Sequence, residues 1–238
     1  LKDKPEADGR PLYWDSALCN VSPYLVPNTP RLVRLLSEPP AVEYEEIPCV
    51  TSNQYILGFR LSPKYFQDYK QDIRKLFEPD ESIVKMLKEK YKIMFEQQDK
   101  VVVVHARRTD YLKSEHNIQY YGPLATSYYI KAIEEACKKV PNAFFLLISD
   151  DPLFWLEAIR EIPAFQTHFF YVLEDLDDVH ALALLQQFHW FIIANSSFSW
   201  WAAWLAAAPR QVWCPSKWFG PIGPKKYEDI YDPSWKRI

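Results

Sequence analysis

Short apolar segments alternate with longer helical patterns through the second half of the chain. The apolar segments lie at 101–107, 143–149, 168–172, 190–195 and 211–214, and the helical patterns between them at 125–139, 152–161, 177–188 and 198–208. Strands that are apolar throughout and are separated by helices are typical of a parallel sheet with both faces covered. The pattern over 100–215 therefore predicts an α/β fold with a doubly wound parallel sheet.

The first hundred residues show a weaker pattern. Residues 1–62 are irregular and rich in proline, with short strand candidates at 11–14 and 54–59, and helical patterns follow at 63–77 and 80–97. These changes in pattern divide the chain into three predicted parts. They are an N-terminal domain with linking helices at 1–98, the α/β domain at 99–220, and a C-terminal tail at 221–238.

Composition narrows the class of protein. The 238 residues are 48% hydrophobic and 25% charged, which is typical of a globular chain. A net charge of −3, without a basic stripe, argues against a nucleic-acid-binding module. The four cysteines form no Cys-x-x-Cys pair, so the sequence gives no zinc or redox motif. No apolar segment is long and uninterrupted enough to predict a membrane span.

Polar side chains follow three of the predicted strands at the point where each strand ends. Arg107 and Arg108 follow the first, Asp150 and Asp151 the second, and the segment Asn195–Ser199 follows the strand at 190–195. The carboxyl ends of parallel strands meet at one edge of the sheet, so these groups should share one crevice. Guanidinium groups and the free amides of a helix start both bind phosphate. The sequence therefore predicts a site for a doubly charged phosphate group.

Each of these features also has a purely structural explanation. Strand alternation sends Arg107 and Arg108 to opposite sides, so one of them is expected to be structural. The residues Asn195–Ser199 fit a simple helix cap, and the tryptophans that follow fit a helix core. The pair Asp175 and Asp177 resembles a metal-chelating pair, but acidic capping of the helix at 177–188 is the favoured explanation.

Two motifs resemble a known family. The residues His105-Ala-Arg107-Arg108-Thr-Asp110-Tyr111 resemble the His-x-Arg-Arg-x-Asp-Tyr motif of the α-1,2-fucosyltransferases, glycosyltransferase family 11. The segment from Ile193 to Leu205, Ile-Ala-Asn-Ser-Ser-Phe-Ser-Trp-Trp-Ala-Ala-Trp-Leu, is similar to that family's second signature. The segments Pro215–Phe219 and Gly58–Phe66 are similar to further family segments. The first motif is shared with α-1,6- and protein O-fucosyltransferases.

The resemblance implies a fold and a reaction. The fold is GT-B-type, with two Rossmann-like domains and the active site between them. The reaction is the inverting transfer of L-fucose from GDP-L-fucose to a glycan hydroxyl, with an α-1,2 linkage, no cofactor and no required metal. Residues 99–220 would be the domain that binds the donor nucleotide.

The resemblance also implies roles for individual residues. Arg107 would bind the donor diphosphate and act in catalysis, with Arg108 beside it and His105 near the nucleoside. The donor-binding segment would comprise Asn195, Ser196, Ser197, Phe198 and Ser199. Asp150 and Asp151 match a carboxylate pair of related enzymes. Either Glu115 or Asp110 would take the proton of the acceptor hydroxyl.

Three departures from the family pattern leave alternatives open. The Gly-rich loop that normally precedes the first helix is absent, so the N-terminal domain is expected to be incomplete, and a non-catalytic domain that binds sugar nucleotides or glycans is an alternative. Thr109 stands in place of a glycine. Ala181 stands where the family has an aspartate that reads guanine; Asp177 or Asp178 is the expected substitute. If neither reaches the base, the alternative is rhamnose or another 6-deoxyhexose from a UDP or dTDP donor.

The sequence leaves the cellular setting and the oligomeric state open. The first residue, Leu1, suggests an excised fragment. The fragment as it stands fits the cytoplasm, whereas a form with an upstream membrane anchor fits the Golgi lumen. Membrane contact is expected only in the second case, and the expected partners are a nucleotide-sugar donor and a glycan acceptor.

Overall fold

A computed structural model describes residues 19–24, 34–37, 42–48 and 54–238. The strand candidate at 11–14 lies outside the described residues. The chain forms two compact units. The smaller unit comprises the described residues of Leu1–Asp80 together with Pro224–Asp232, and the larger unit comprises Glu81–Gly223 together with Pro233–Ile238.

The described residues of the smaller unit form one pair of parallel strands and one α-helix. Strand β1 (Arg34–Ser37) pairs with β2 (Gln54–Leu57), and helix α1 spans Lys70–Leu76. The helix predicted over 63–77 is only partly right. Its first part forms 3₁₀ turns at Pro63–Tyr65 and Gln67–Tyr69, because Phe66 (φ −127°, ψ −14°) leaves the helical conformation between them.

The larger unit is built on six parallel strands. They are β3 (Val101–Ala106), β4 (Phe144–Ser149), β5 (Phe169–Leu173), β6 (Trp190–Ile192), β7 (Gln211–Cys214) and β8 (Lys236–Arg237). Their order across the sheet is β5-β4-β3-β6-β7-β8, and every neighbouring pair is parallel. Counted within this unit, the order is 3-2-1-4-5-6, which is the Rossmann order. The predicted α/β class and doubly wound parallel sheet are confirmed.

Seven α-helices in the described part of this unit accompany the strands. They are α2 (Glu81–Lys90), α3 (Lys92–Glu96), α4 (Glu115–Tyr121), α5 (Thr126–Lys139), α6 (Pro152–Glu161), α7 (Asp178–Leu185) and α8 (Ser197–Leu205). The single helix predicted over 80–97 divides at Tyr91 (φ −111°, ψ 34°) into α2 and α3. Helix α4 was missed, and so was strand β8. None of the helices in the described ranges is long and apolar enough to cross a membrane.

Burial of apolar side chains explains why these helices form on the sheet. In α5, Tyr129, Ile133 and Ala136 recur at helical spacing and are fully buried. In α8, Trp200 and Trp204 are buried and stack with ring centroids 6.0 Å apart. A fully buried aliphatic side chain such as Ile133 contributes about 1.5–3 kcal/mol when it leaves water. The prediction that the tryptophans of this helix belong to the core is confirmed for Trp200 and Trp204, whereas Trp201 is half-buried.

The division of the chain differs in detail from the three predicted parts. Residues 81–98 group with the larger unit, and residues 233–238 return to it, where β8 pairs with β7. The order of strands reverses between β3 and β6. Connections therefore leave these two strands in opposite directions, which opens a crevice at their carboxyl ends.

Candidate functional site

A cavity of about 250 Å³ lies at the carboxyl ends of β3, β4 and β5, beside this reversal. His105 and Arg107 enter its wall from β3, and Asp150 from the end of β4. The end of β5, the β5–α7 loop, α7 and α8 also contribute to the wall. Their residues there are Leu173, Glu174, Leu176, Asp178, Ala181 and Phe198. Of the strand ends that sequence analysis singled out, those of β3 and β4 reach the cavity, and the segment Asn195–Ser199 reaches it only with Phe198.

His105 links β3 to the start of α8. Its ring is 3% exposed, its Nδ1 lies 3.0 Å from Ser199 Oγ, and its centroid lies 5.4 Å from that of Phe198. Burial lowers the pKa of His105 to about 3, and the charge of Arg107 acts in the same direction. The imidazole is therefore neutral at ordinary pH, and it offers hydrogen bonding without a positive charge.

Arg107 supplies the positive charge of the cavity wall. Its Nε donates to Asp110 Oδ1 at 2.8 Å and lies 3.2 Å from Asp150 Oδ2. Burial alone would lower the pKa of Arg107, but the hydrogen bond to Asp110 and the charges of Asp150 and Asp110 raise it. Both carboxylates bind the Nε edge. The guanidinium is therefore held in place while it remains a cation that can bind an anionic group.

Asp150 fastens the loop that follows β3. Its carboxylate accepts hydrogen bonds from the backbone amide of Arg108 at 2.8 Å, from the amide of Thr109 at 3.1 Å, and from the Thr109 hydroxyl. Burial would raise the pKa of Asp150, but these donors and the charge of Arg107 lower it. Asp150 therefore stays ionised and fixes the position of Arg107. Thr109, which stands where the family has a glycine, contributes its hydroxyl to the hydrogen bonds of the Asp150 carboxylate.

Arg108 and Asp151 lie outside the cavity wall. The guanidinium carbon of Arg108 lies 4.6 Å from the centroid of the Phe154 ring, and its Nη1 donates to Leu124 O at 3.1 Å. Asp151 occupies the N-cap position of α6, and its amide donates to Ser149 Oγ at 3.0 Å. The two arginines thus have different surroundings, as strand alternation predicts. Donor binding by Arg108 and by Asp151 stays a prediction.

The start of α8 presents small polar residues. Ser196 is 7% exposed and occupies the N-cap position, but its side chain makes no capping hydrogen bond. Ser197 is the exposed first residue of the helix. The amides of a first helical turn lack acceptors within the helix, so they can bind an anion. Neither serine lines the described cavity, and their phosphate role stays a prediction.

Asn195 has a structural role in the described fold. Its Nδ2 donates to Tyr121 O at 2.7 Å and to Trp218 O at 2.9 Å, and lies 3.2 Å from Gly122 O. These bonds tie the end of α4 and the segment after β7 to the end of β6. Gly122 ends α4 with φ +63°, and a Cβ there would lie 3.0 Å from the backbone of Gly220.

Asp177 and Asp178 have different surroundings although they are adjacent. Asp177 caps α7 by accepting from the His180 amide at 2.9 Å, and its carboxylate lies 2.8 Å from His180 Nδ1. Asp178 lines the cavity, and so does Ala181 on the same helix. Of the two proposed substitutes for the missing family aspartate, Asp178 is the one at the cavity. Glu174 also lines it, which sequence analysis did not predict.

The two candidate bases lie on the segment between β3 and α5. Asp110 is bound to Arg107, and its backbone carbonyl accepts from Asn117 Nδ2 at 2.7 Å. Glu115 is the first residue of α4, is exposed, and accepts from Gln119 Nε2 at 2.9 Å. Neither Asp110 nor Glu115 lines the described cavity. The role of either carboxylate as a base stays a prediction.

The described ranges also bear on metal binding. Within them, no group of three or more histidine, cysteine, aspartate or glutamate side chains is arranged to hold a metal ion. Asp175 and Asp177, the pair that resembles a metal-chelating motif in the sequence, bind protein groups. Asp175 is bound by Lys90 and Tyr91, and Asp177 is bound by His180.

Comparison with known proteins gives a family match and two relatives. The family model described as glycosyl transferase family 11 matches residues 36–238. An Escherichia coli alpha-1,2-colitosyltransferase is 28% identical over 186 residues, which cover 76% of this chain and 61% of that protein. The E. coli O-antigen biosynthesis glycosyltransferase WbnK is 29% identical over 166 residues, 65% of this chain and 54% of that protein. The chain thus spans less than two thirds of either relative.

Two solved structures show a more distant similarity. A crystal structure of POFUT1 in complex with GDP-fucose gives a TM-score of 0.46 at 15% identity, with 68% of this chain and 53% of that chain covered. A structure of an Arabidopsis thaliana FUT1 mutant in complex with GDP gives a TM-score of 0.41 at 12% identity, with 88% and 56% covered. These similarities are too distant to bear on the site.

Proposed function

Because the chain belongs to glycosyltransferase family 11, as the match over residues 36–238 shows, we propose that it is an inverting glycosyltransferase. It moves L-fucose from GDP-L-fucose to a hydroxyl of a glycan acceptor, in an α-1,2 linkage. Residues 81–223 bind the donor. The GT-B architecture, with a second Rossmann-like domain that completes the active site, is part of this proposal.

The observation that carries the proposal is the position of Arg107 in the cavity at the sheet reversal. Its cation is fixed by Asp110 and Asp150, and the first turn of α8 begins at the end of the adjacent strand β6. When the sugar leaves, negative charge develops on the diphosphate. A fixed cation aimed at that charge stabilises the transition state by about 3–4 kcal/mol. The proposed roles of Arg107, Ser196 and Ser197 follow from this requirement.

The cavity wall favours guanine as the base. Asp178 and Glu174 line the cavity together with the apolar side chains Leu173 and Leu176. Guanine presents a ring N–H and an amino group side by side, and one carboxylate can accept from both. Uracil and thymine present a single ring N–H on that edge. We therefore assign the base-reading role of the missing family aspartate to Asp178, with Ala181 providing space beside it.

The acceptor hydroxyl must lose its proton as it attacks the sugar. Asp110 already binds the cation of Arg107, whereas Glu115 is exposed at the start of α4 and accepts a hydrogen bond from the neutral Gln119 side chain. This difference favours Glu115 as the general base and leaves Asp110 to orient Arg107. Both carboxylates remain candidates until variants of each are compared.

A second sugar is supported by one of the relatives. The E. coli protein at 28% identity is named an alpha-1,2-colitosyltransferase, so transfer of colitose with the same linkage is the second candidate function for this chain. The name supports the proposed linkage and leaves the choice of sugar to experiment.

A donor-by-acceptor assay tests the proposal. The protein is incubated with GDP-fucose, GDP-colitose, dTDP-rhamnose or UDP-rhamnose and a panel of glycans, and products are identified by mass and by NMR of the linkage. We expect a fucosylated product with an α-1,2 linkage from the GDP donor. Transfer only from a rhamnose donor would contradict the base assignment. If the protein binds a GDP-sugar but transfers no sugar to any glycan, it is instead a non-catalytic domain.

A further inference from the structure

The loop between β5 and α7 forms one wall of the cavity. Glu174 and Leu176 both line it, and Asp178 lines it from the first residue of α7. Asp175 lies between these residues in the chain but is absent from the cavity wall. Its contacts show what holds the loop in place.

Asp175 is bound by two residues at the end of α2. The Tyr91 hydroxyl donates to Asp175 Oδ1 at 2.7 Å, and Lys90 Nζ lies 2.8 Å from Asp175 Oδ2. Lys90 Nζ also donates to the backbone carbonyl of Asp175 at 3.2 Å. Both the side chain and the backbone of this loop residue are thus bound to α2 and the residue that follows it.

Tyr91 is the rigid member of this contact. It is 5% exposed, and its ring packs edge-on against Tyr171 of β5 with centroids 6.0 Å apart. Burial raises the pKa of Tyr91 and the bond to Asp175 adds to the effect, so the hydroxyl keeps its proton and remains a donor. The Lys90–Asp175 pair is more exposed, and such a pair alone contributes little. A hydroxyl bound to a carboxylate is the stronger type of bond.

We propose that Tyr91 and Asp175, assisted by Lys90, form a latch that holds the loop 174–177 where it shapes the donor cavity. They are positioning residues, which set the affinity for the nucleotide without touching it. The latch gives Asp175 a structural role, whereas its place in the sequence beside Asp177 resembles a metal-chelating pair. The proposal rests on the proposed function only for the identity of the nucleotide.

Two conservative variants and one matched control test the latch. Tyr91→Phe removes the hydroxyl but keeps the ring packing, and Asp175→Asn removes the charge. Asp99→Asn is the control, because it removes an exposed ion pair with Arg210 that lies away from the cavity wall. Amide hydrogen exchange of residues 174–178 reports the loop, and titration with GDP together with steady-state kinetics reports the donor site.

We expect faster exchange at 174–178 in both latch variants. We also expect the Kd for GDP and the KM for the donor to rise about three- to tenfold with kcat nearly unchanged. The effect of the double variant should be smaller than the sum of the two single effects, because both changes act on the Tyr91–Asp175 hydrogen bond. The control should match the wild type in exchange, KM and kcat.

Two outcomes would overturn the latch. One is unchanged exchange at 174–178 in both variants. The other is faster exchange, or a lower melting temperature, with unchanged affinity for GDP, since this is the result of a merely structural contact. Failure of the wild type to bind GDP would count against the proposed function and against any role in donor affinity. Hydrogen exchange would still decide whether the contact holds the loop.

Discussion

His105 and Ser199 are 94 residues apart in the chain, yet their side chains share a hydrogen bond of 3.0 Å inside the larger unit. His105 is the fifth residue of β3, and Ser199 is the third residue of α8. The contact joins β3 to the helix that follows β6, and the order of strands reverses between β3 and β6. It therefore fixes the relative position of the two chain segments that we assign to donor binding.

Removal of this contact should destabilise the fold. Ser199→Ala leaves a ring nitrogen of the buried His105 without its partner, and such a loss costs about 1–3 kcal/mol. Urea denaturation at pH 7 measures the free energy of unfolding. Ser197→Ala is the matched control, because Ser197 is exposed at the same helix start, and we expect its effect on stability to be within about 0.5 kcal/mol. Equal effects of the two changes would show that the buried bond is unimportant.

Acid should weaken the fold through His105. Its pKa is about 3 in the fold because it is buried, and the unfolded chain has the ordinary value of 6.5. Between these values the unfolded state binds the proton and the folded state does not. The contribution of His105 is therefore complete above pH 6.5 and is lost as the pH falls towards 3.

Comparison of pH 7 with pH 5 separates this effect from the titration of carboxylates such as Asp150, whose pKa is lowered further by its hydrogen bonds and by Arg107. We expect the wild type to lose stability over this interval. His105→Gln, which cannot be protonated, should lose less over the same interval, even though it is less stable at pH 7. An equal slope in the two proteins would mean that another group causes the acid sensitivity.

Arg107→Ala should abolish transfer while the fold persists. We expect kcat to fall by a factor of at least about 10²–10³, because the diphosphate loses its fixed cation. Arg107→Lys keeps a charge but loses the planar fork, so it should recover only part of the rate. Circular dichroism and the melting temperature check the fold. Transfer at the wild-type rate in Arg107→Ala would remove this residue from the proposed mechanism.

Arg108→Ala should behave differently from Arg107→Ala. The Arg108 side chain packs against Phe154 and donates to Leu124 O, so we expect its removal to lower stability by about 1–2 kcal/mol. The loss of transfer should be smaller than that of Arg107→Ala. Weaker donor binding at unchanged stability would instead support the predicted donor-binding role of Arg108.

Asp150→Asn should lower the rate through Arg107. The amide lacks the charge that faces Arg107, and one of its two terminal atoms is a donor that cannot accept from the amides of Arg108 and Thr109. We expect kcat/KM to fall more than tenfold with the fold retained. Glu157→Gln on the exposed face of α6 is the control and should have no effect. Wild-type kinetics in Asp150→Asn would show that the loop after β3 needs no carboxylate.

The sheet could be predicted because its signal is local. The strands of the doubly wound domain are apolar over their whole length, and α6 begins at Pro152, a residue that favours the first helical position. Helix α4 was missed because it is short, polar and without buried residues. Strand β8 was missed because it has two charged residues and forms only by pairing with β7.

Part of the candidate site could also be predicted from the sequence. The ends of parallel strands meet, so His105, Arg107 and Asp150 were expected to lie together. Glu174 and the latch at Tyr91 could not be predicted, because α2, the β5–α7 loop and β5 meet only in the folded chain. Strand alternation predicts that the side chains of Arg107 and Arg108 lie on opposite sides. It does not predict which residues each arginine contacts.

Binding of nucleoside diphosphates tests the central claim most directly, since the donor assignment depends on the base pocket. Melting of the protein is followed with GDP, UDP and dTDP in separate samples, and a ligand at a hundred times its Kd adds about 2.7 kcal/mol of stability. We predict an upward shift with GDP alone, which Asp178→Asn reduces. A shift with UDP or dTDP alone, or with none of the three, would contradict the assignment of this cavity as a GDP-sugar site.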